Sequence, residues 1–489
     1  MQNLRKLNVY LIFIFLNSIL KIIFLFQDSK IRLFSDSGTY ILAASSWKSW
    51  NHLEFFRDRT TFFTFFWAPF IQLSNSPLLI IISHTALTIT SGTLALYVLN
   101  KTNLWRFKNF VLLSLIIQSP LYFYYERIML PEIIGMNMSL IFITIVINLL
   151  CCDKKEKSKY LFFVTGMLYA LMSVLIKTNF IIMFLSLLTA IFLLIVLRIL
   201  KVSKNSIAFS ALVFCFMGGF VGILAGSIIS GVSTHSAKLD YLKSNSAMTS
   251  YNLIFKFGPS VNCNKKYSME IQSVANKLCS LENPQIKERN FDEIMWSGEI
   301  IRDWGQSTDE DYYRFAKLYR KLAITLILEN PKDTILIVGN DLRTLLNPLK
   351  SPRFTSSPYP YDVWLSLNPK ISLPQFIEKD SEDLLFKLTI WQNSLKIIMI
   401  AIGIILFCFK FRELNDISRF LMFFWVIYIV FVAILAFPSP RYLVYTDMIL
   451  FLIIPFMSLH NKHKHKYEFR DYKSKNEGSV KFIEKNQDL

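Results

Sequence analysis

Apolar runs of about 18 residues or more recur along this chain, each long enough to cross a ~30 Å hydrocarbon core. Nothing else in the sequence restricts the fold as strongly. The runs lie at about 8–27, 77–99, 109–125, 133–150, 160–176, 179–199, 206–229, 389–409, 418–437 and 441–459. They predict an all-α polytopic membrane protein, a bundle of about 10 transmembrane helices with juxtamembrane helices beside it. Composition agrees with this. Only 18% of the 489 residues are charged, against roughly 25% in a globular chain. The first run, Asn8 to Phe26, follows Arg5 and Lys6 as a signal peptide would. It is too long for a signal h-region, however, and no A-x-A cleavage site follows, so it reads as a retained helix.

Charge sets the expected orientation. With a cytoplasmic N-terminus, the inside connections are 101–108, 153–159, 198–204, 410–413 and the tail from 460, and all of them are basic. The alternation holds only if 59–73, "RTTFFTFFWAPFIQL", does not span; about 15 residues with Arg59 at its mouth suit an interfacial or re-entrant helix. The net charge of +18 is explained by these basic tracts, and no groove-like stripe supports nucleic-acid binding.

The organisation that follows has four parts. Residues 1–229 form an N-terminal transmembrane module, with the first outer loop and juxtamembrane helices at 28–76. Residues 230–388 form a mainly α extracytoplasmic domain, 389–459 the C-terminal transmembrane helices, and 460–489 a basic cytoplasmic tail. The absence of an N-x-S/T sequon from the outside region suits a bacterial inner membrane. Within that region, 311–347 reads as two amphipathic helices broken at Asn330-Pro331, with Asn as cap and Pro at the first helical position. Cys263 and Cys279 face an oxidising compartment and are a disulfide candidate. No CxxC pair or HExxH motif appears.

Polar features collect on the predicted outer face: Asp36 and Tyr40 in "LFSDSGTY", Arg57-Asp58-Arg59, Glu126, Arg127 and Glu132 in "YYERIMLPE", and Arg441-Tyr442 at the last run. Lys177 sits where the fifth helix emerges. Singly, such residues read as interfacial anchors or snorkelling ends. On one rim they have the composition of a site that binds a phosphate and deprotonates a hydroxyl.

In these motifs the chain resembles the GT-C glycosyltransferases, membrane enzymes that use polyprenyl-phosphate sugars, and in particular the branch of protein O-mannosyltransferases and the lipid A aminoarabinose transferase. Asp36 and Tyr40 match an acid and Tyr after the first helix; Arg127 with Pro131-Glu132 matches R-x-x-x-P-[DE]; Arg441-Tyr442-Leu443 matches R-Y-L. The segment "RDRTTFFTFFWAPF" takes the juxtamembrane place without the family's prolines. The resemblance implies inverting transfer of a sugar to a lipid, glycan or protein acceptor. Asp36 would be the base, with Glu132 second and Glu126 orienting; Arg57, Arg59 and Arg441, then Tyr442 and Lys177, would hold the donor phosphate. Tyr40, Asp58 and Arg127 would support the acceptor side, and a divalent cation, Mg or Mn, could sit between Asp36 and Glu132. A polysaccharide polymerase or oligosaccharide ligase is the nearest alternative. A lipid-linked-substrate flippase is the alternative from another class, though no two related halves are visible.

Overall fold

The computed structural model describes residues 2–32, 37, 40–41, 67, 69–70, 78–101, 106–128, 130–151, 155–175, 179–200, 208–234, 241–280, 309–347, 384–410, 414, 416–436 and 442–448. In chain order the helices are α1 (Gln2–Gln27), α2 (Leu78–Asn100), α3 (Arg106–Ile117), α4 (Pro120–Glu126), α5 (Glu132–Cys151), α6 (Lys155–Leu175) and α7 (Asn179–Ile199). They continue with α8 (Ala208–Thr234), α9 (Tyr241–Phe257), α10 (Met269–Cys279), α11 (Asp309–Glu329), α12 (Pro331–Leu346), α13 (Leu384–Lys410) and α14 (Asp416–Leu435). Among the described residues no strand forms; Arg32 and Ile128 make an isolated parallel bridge.

Among the described residues seven helices are long and apolar enough to cross a membrane: α1, α2, α5, α7, α8, α13 and α14. Of the other three expected runs, one is divided and two extend beyond the described residues. The run at 109–125 is divided, because Ser119 takes the cap position and Pro120 has no N–H with which to continue the ladder of α3. The freed Leu121 amide donates to the Gln392 side chain of α13 at 2.8 Å. Of the run at 160–176, helix α6 includes the apolar stretch Lys159–Val174, and position 176 lies outside the described residues. Of the last run, 442–448 lie within the described residues.

Helices α6 and α8 meet at backbone contact. Gly218, Gly222 and Gly226 recur every fourth residue on α8, so they share one face. A Cβ on Gly218 would lie 1.9 Å from the Phe163 carbonyl oxygen, and one on Gly222 would lie 2.2 Å from that of Met167. Gly166 meets the Cys215 carbonyl in the same way at 2.1 Å. Lipid tails are as apolar as the side chains they would replace, so close van der Waals packing of this kind is what holds such helices together.

A second, separate core lies in α9, α10 and α11, where Tyr251, Ile254, Val274, Leu278, Tyr319 and Leu322 are buried together. Cys263 and Cys279 are disulfide-bonded across this unit. The break between α11 and α12 falls at Asn330-Pro331; Asn330 holds the cap position but makes no side-chain cap bond. Helix α12 leaves the small core and places Leu345 in the main one, with Val338, Leu342 and Leu346 packed beside it.

Lys256 joins the two cores. Its ammonium, from the last turn of α9, donates to the Ala433 and Ala436 carbonyls at the end of α14 and pairs with Asp341 of α12 at 2.8 Å. Burial pulls the Lys256 ammonium below the usual lysine value and pushes the Asp341 carboxyl up, each opposed by the other's charge.

Candidate functional site

Lys21 is the single charge in the apolar part of α1, and in hydrocarbon such a residue needs a partner. It finds one 105 positions away. Its Nζ lies 2.8 Å from Glu126 Oε1, with side-chain exposures of 1% and 0%, and 3.9 Å above the Phe123 ring. Thr85 donates to the other Glu126 oxygen at 3.4 Å. Removing either partner would leave a buried charge uncompensated, which costs about 3–5 kcal/mol.

Beside this pair, the Trp67 indole N–H donates to His84 Nε2 at 2.9 Å. Indole nitrogen can only donate, so Nε2 accepts and the proton sits on Nδ1, which faces the Glu126 carbonyl at 3.0 Å. His84 is thereby fixed as a neutral ring with both nitrogens used. The Tyr40 ring packs edge-on against Trp67 at 6.4 Å. Trp67 belongs to the segment expected at the membrane surface, yet it is fully buried, and its bond to α2 draws that part of the segment into the bundle.

The α4–α5 turn is tied to the end of α1 through Asp28. Arg127 Nε donates to the Asp28 carbonyl at 2.8 Å, and Arg32 Nη2 to its carboxylate at 2.9 Å. The Arg32 amide donates to the Arg127 carbonyl at 2.7 Å. Both guanidiniums are buried and lie over aromatic rings, Arg32 on Tyr124 and Arg127 on Phe24.

Five residues beyond Arg127, Glu132 opens α5, where a carboxylate complements the helix N-terminus. It is buried, within electrostatic reach of Tyr428 on α14, as is Asp447. The Tyr428 hydroxyl donates to the Tyr442 carbonyl at 2.7 Å, and Lys396 of α13 pairs with Asp447 at 2.8 Å. Gly135 admits the Tyr445 ring, which a Cβ would meet at 2.2 Å. The ends of α1, α4, α5 and α14 and the 442–448 segment therefore meet at one end of the bundle.

Of the residues expected from the sequence, Tyr40, Glu126, Arg127, Glu132 and Tyr442 are thus placed. Asp36, Arg57, Asp58, Arg59, Lys177 and Arg441 lie outside the described residues. Sequence reasoning passed over Lys21, Asp28, Arg32, Lys396 and Asp447. A signal was present, since Lys21 and Lys396 each stand as the one charge inside an expected span. Among the described residues no three His, Cys, Asp or Glu side chains converge as a metal site requires. Comparison with known proteins gives no match: no family model, no curated protein and no solved structure matches the chain.

Proposed function

We propose that this protein is an integral-membrane glycosyltransferase that moves a sugar from a polyprenyl-phosphate donor to a lipid, glycan or protein acceptor on the extracytoplasmic face. The reading rests on the resemblance in motifs and on one observation. Tyr40, Arg127, Glu132 and Tyr442, which belong to those motifs, stand on segments that meet at one end of the bundle from distant parts of the chain. A donor with its isoprenoid tail in the bilayer presents its phosphate at such a rim.

In the proposed reaction the acceptor hydroxyl oxygen bonds to the anomeric carbon as the bond from that carbon to the phosphate oxygen breaks, inverting the centre. The hydroxyl proton passes to a carboxylate, and polyprenyl phosphate leaves with the bonding pair. Asp36 is assigned as the base and Glu132 as the second carboxylate. Glu126 is engaged by Lys21, which suits a positioning part rather than proton transfer. Arg57, Arg59 and Arg441 would neutralise the departing phosphate through paired N–H donors. Tyr442, Lys177, Tyr40 and Arg127 complete the surroundings.

Purified protein incubated with a radiolabelled polyprenyl-phosphate sugar should transfer, hydrolyse or bind it. Asp36→Asn should remain folded and membrane-inserted with turnover lowered by orders of magnitude. Indifference to the lipid-linked sugar removes the proposal, and near-normal turnover by Asp36→Asn removes that residue from the role of base.

A further inference from the structure

Helices α11 and α12 meet at a bend at Asn330-Pro331 whose outside is apolar. Leu328 is 75% exposed, Ile335 72% and Leu336 62%, and Ile324 one turn earlier is also exposed. These are the side chains amphipathic helices would be expected to bury, and the small core is already filled from the opposite face of α11. On α12 the exposed positions Lys332, Ile335, Leu336, Gly339, Asn340 and Arg343 follow three- and four-residue spacing, so they form one continuous stripe. The stripe has two apolar residues near one end and a cation at each end. A leucine and an isoleucine framed by Lys and Arg is the pattern of a helix lying in a membrane interface.

Two facts on the opposite side of α12 say what should cover the stripe. Leu345 belongs to the core of the bundle, and Asp341 is clasped by Lys256 against the end of α14. Helix α12 is therefore held beside the end of α14, one of the helices long and apolar enough to cross a membrane, and the end of such a helix is where the headgroups of a bilayer would begin. Basic residues on the neighbouring face of α11, Lys317, Arg320 and Lys321, add positive charge, of which Lys321 is partly spent on Glu270.

We infer that the α11–α12 bend is a membrane-surface anchor, with Leu328, Ile335 and Leu336 set among the acyl chains and Lys332 and Arg343 on anionic headgroups of the bilayer that holds the bundle. The anchor keeps the disulfide-bonded unit down on the rim instead of standing free in water. This inference stands apart from the proposed transferase activity, and its test uses no sugar.

A nitroxide label at Leu336→Cys reads the anchor directly. It is placed in a full-length chain whose Cys151, Cys152, Cys215 and Cys408 are alanine, reconstituted in nanodiscs containing phosphatidylglycerol. The control label is Arg314→Cys, fourteen residues before Leu328 on α11 and so about 21 Å along the helix. The label at 336 should collide readily with oxygen and be shielded from a water-soluble nickel chelate, while the label at 314 shows the reverse. Lys332→Gln with Arg343→Gln, or nanodiscs of phosphatidylcholine alone, should raise nickel access at 336. Equal nickel access at the two positions overturns the inference, because the stripe then faces water. Shielding of 336 from both oxygen and nickel also overturns it, because protein, from this chain or a second copy, then covers the stripe.

Discussion

Two helix contacts in this protein use opposite means. At the rim, α1 and α4 are joined by a lysine and a glutamate, both out of water. Along the seam of α6 and α8 no side chain intervenes at Gly218, Gly222 and Gly166, and backbone meets backbone. Burying ions is costly unless each is paired, whereas packing glycine against a carbonyl needs no partner charge. The seam is thus the economical way to hold helices in lipid. The rim keeps Lys21, Asp28, Arg32, Glu126, Arg127 and Glu132 although a contact without charge exists, and that contrast is why we propose it as the functional end.

The largest effect should come from splitting the rim pair. Lys21→Met leaves the Glu126 carboxylate buried without its ammonium, and denaturant unfolding in micelles should show a loss of about 3–5 kcal/mol. Lys21→Met with Glu126→Met should recover most of it, since an apolar pair of similar volume carries no desolvation cost. If the single variant loses less than ~1 kcal/mol, the pair behaves as an exposed one and the contrast fails.

At the seam, Gly222→Ala should cost about 1–3 kcal/mol, because its new methyl would stand 2.2 Å from a backbone oxygen. The sign is informative here, since alanine ordinarily favours a helix over glycine. Gly339→Ala on α12, where a Cβ meets nothing within 4 Å, should instead stabilise by about 0.5–1 kcal/mol in the same assay. Both variants moving in the same direction would dissolve the argument from close approach.

The smallest effect should come from the ion pair that water reaches. Lys321 donates to Glu270 on the surface of the small unit, and this hydrogen bond holds the Glu270 carboxyl below the usual glutamate value. A depressed carboxylate contributes stability that is whole above its unfolded-state pKa and is lost as pH falls through the folded one. The stability gap between the natural chain and Glu270→Gln should therefore be present near neutrality and close as pH falls through and below about 4. It should be slight throughout, because solvent screens the exposed pair. A gap that widens in acid would reverse the assigned sign.

Much of the fold is legible in the sequence. Seven expected spans coincide with long apolar helices, and the α11–α12 break falls at Asn330-Pro331, because hydropathy and proline act within a few residues. The division at Ser119-Pro120 carried the same local signal, in a run whose apolar character concealed it. The candidate site was legible only in outline. Glu126, Arg127 and Glu132 stood out as charges at a helix end, but nothing nearby revealed that Lys21 would claim Glu126 or that Asp28 would hold two arginines.

What the sequence alone determined is the set of helices and their breaks, since backbone hydrogen bonding in lipid is satisfied within each segment. Which charge meets which, and which glycine faces which carbonyl, was decided by tertiary structure. Lys21 and Glu126 are 105 residues apart, and the Gly222 to Met167 contact spans two helix connections. Such pairings depend on how whole helices cross, and at these separations no local pattern of residues encodes the crossing.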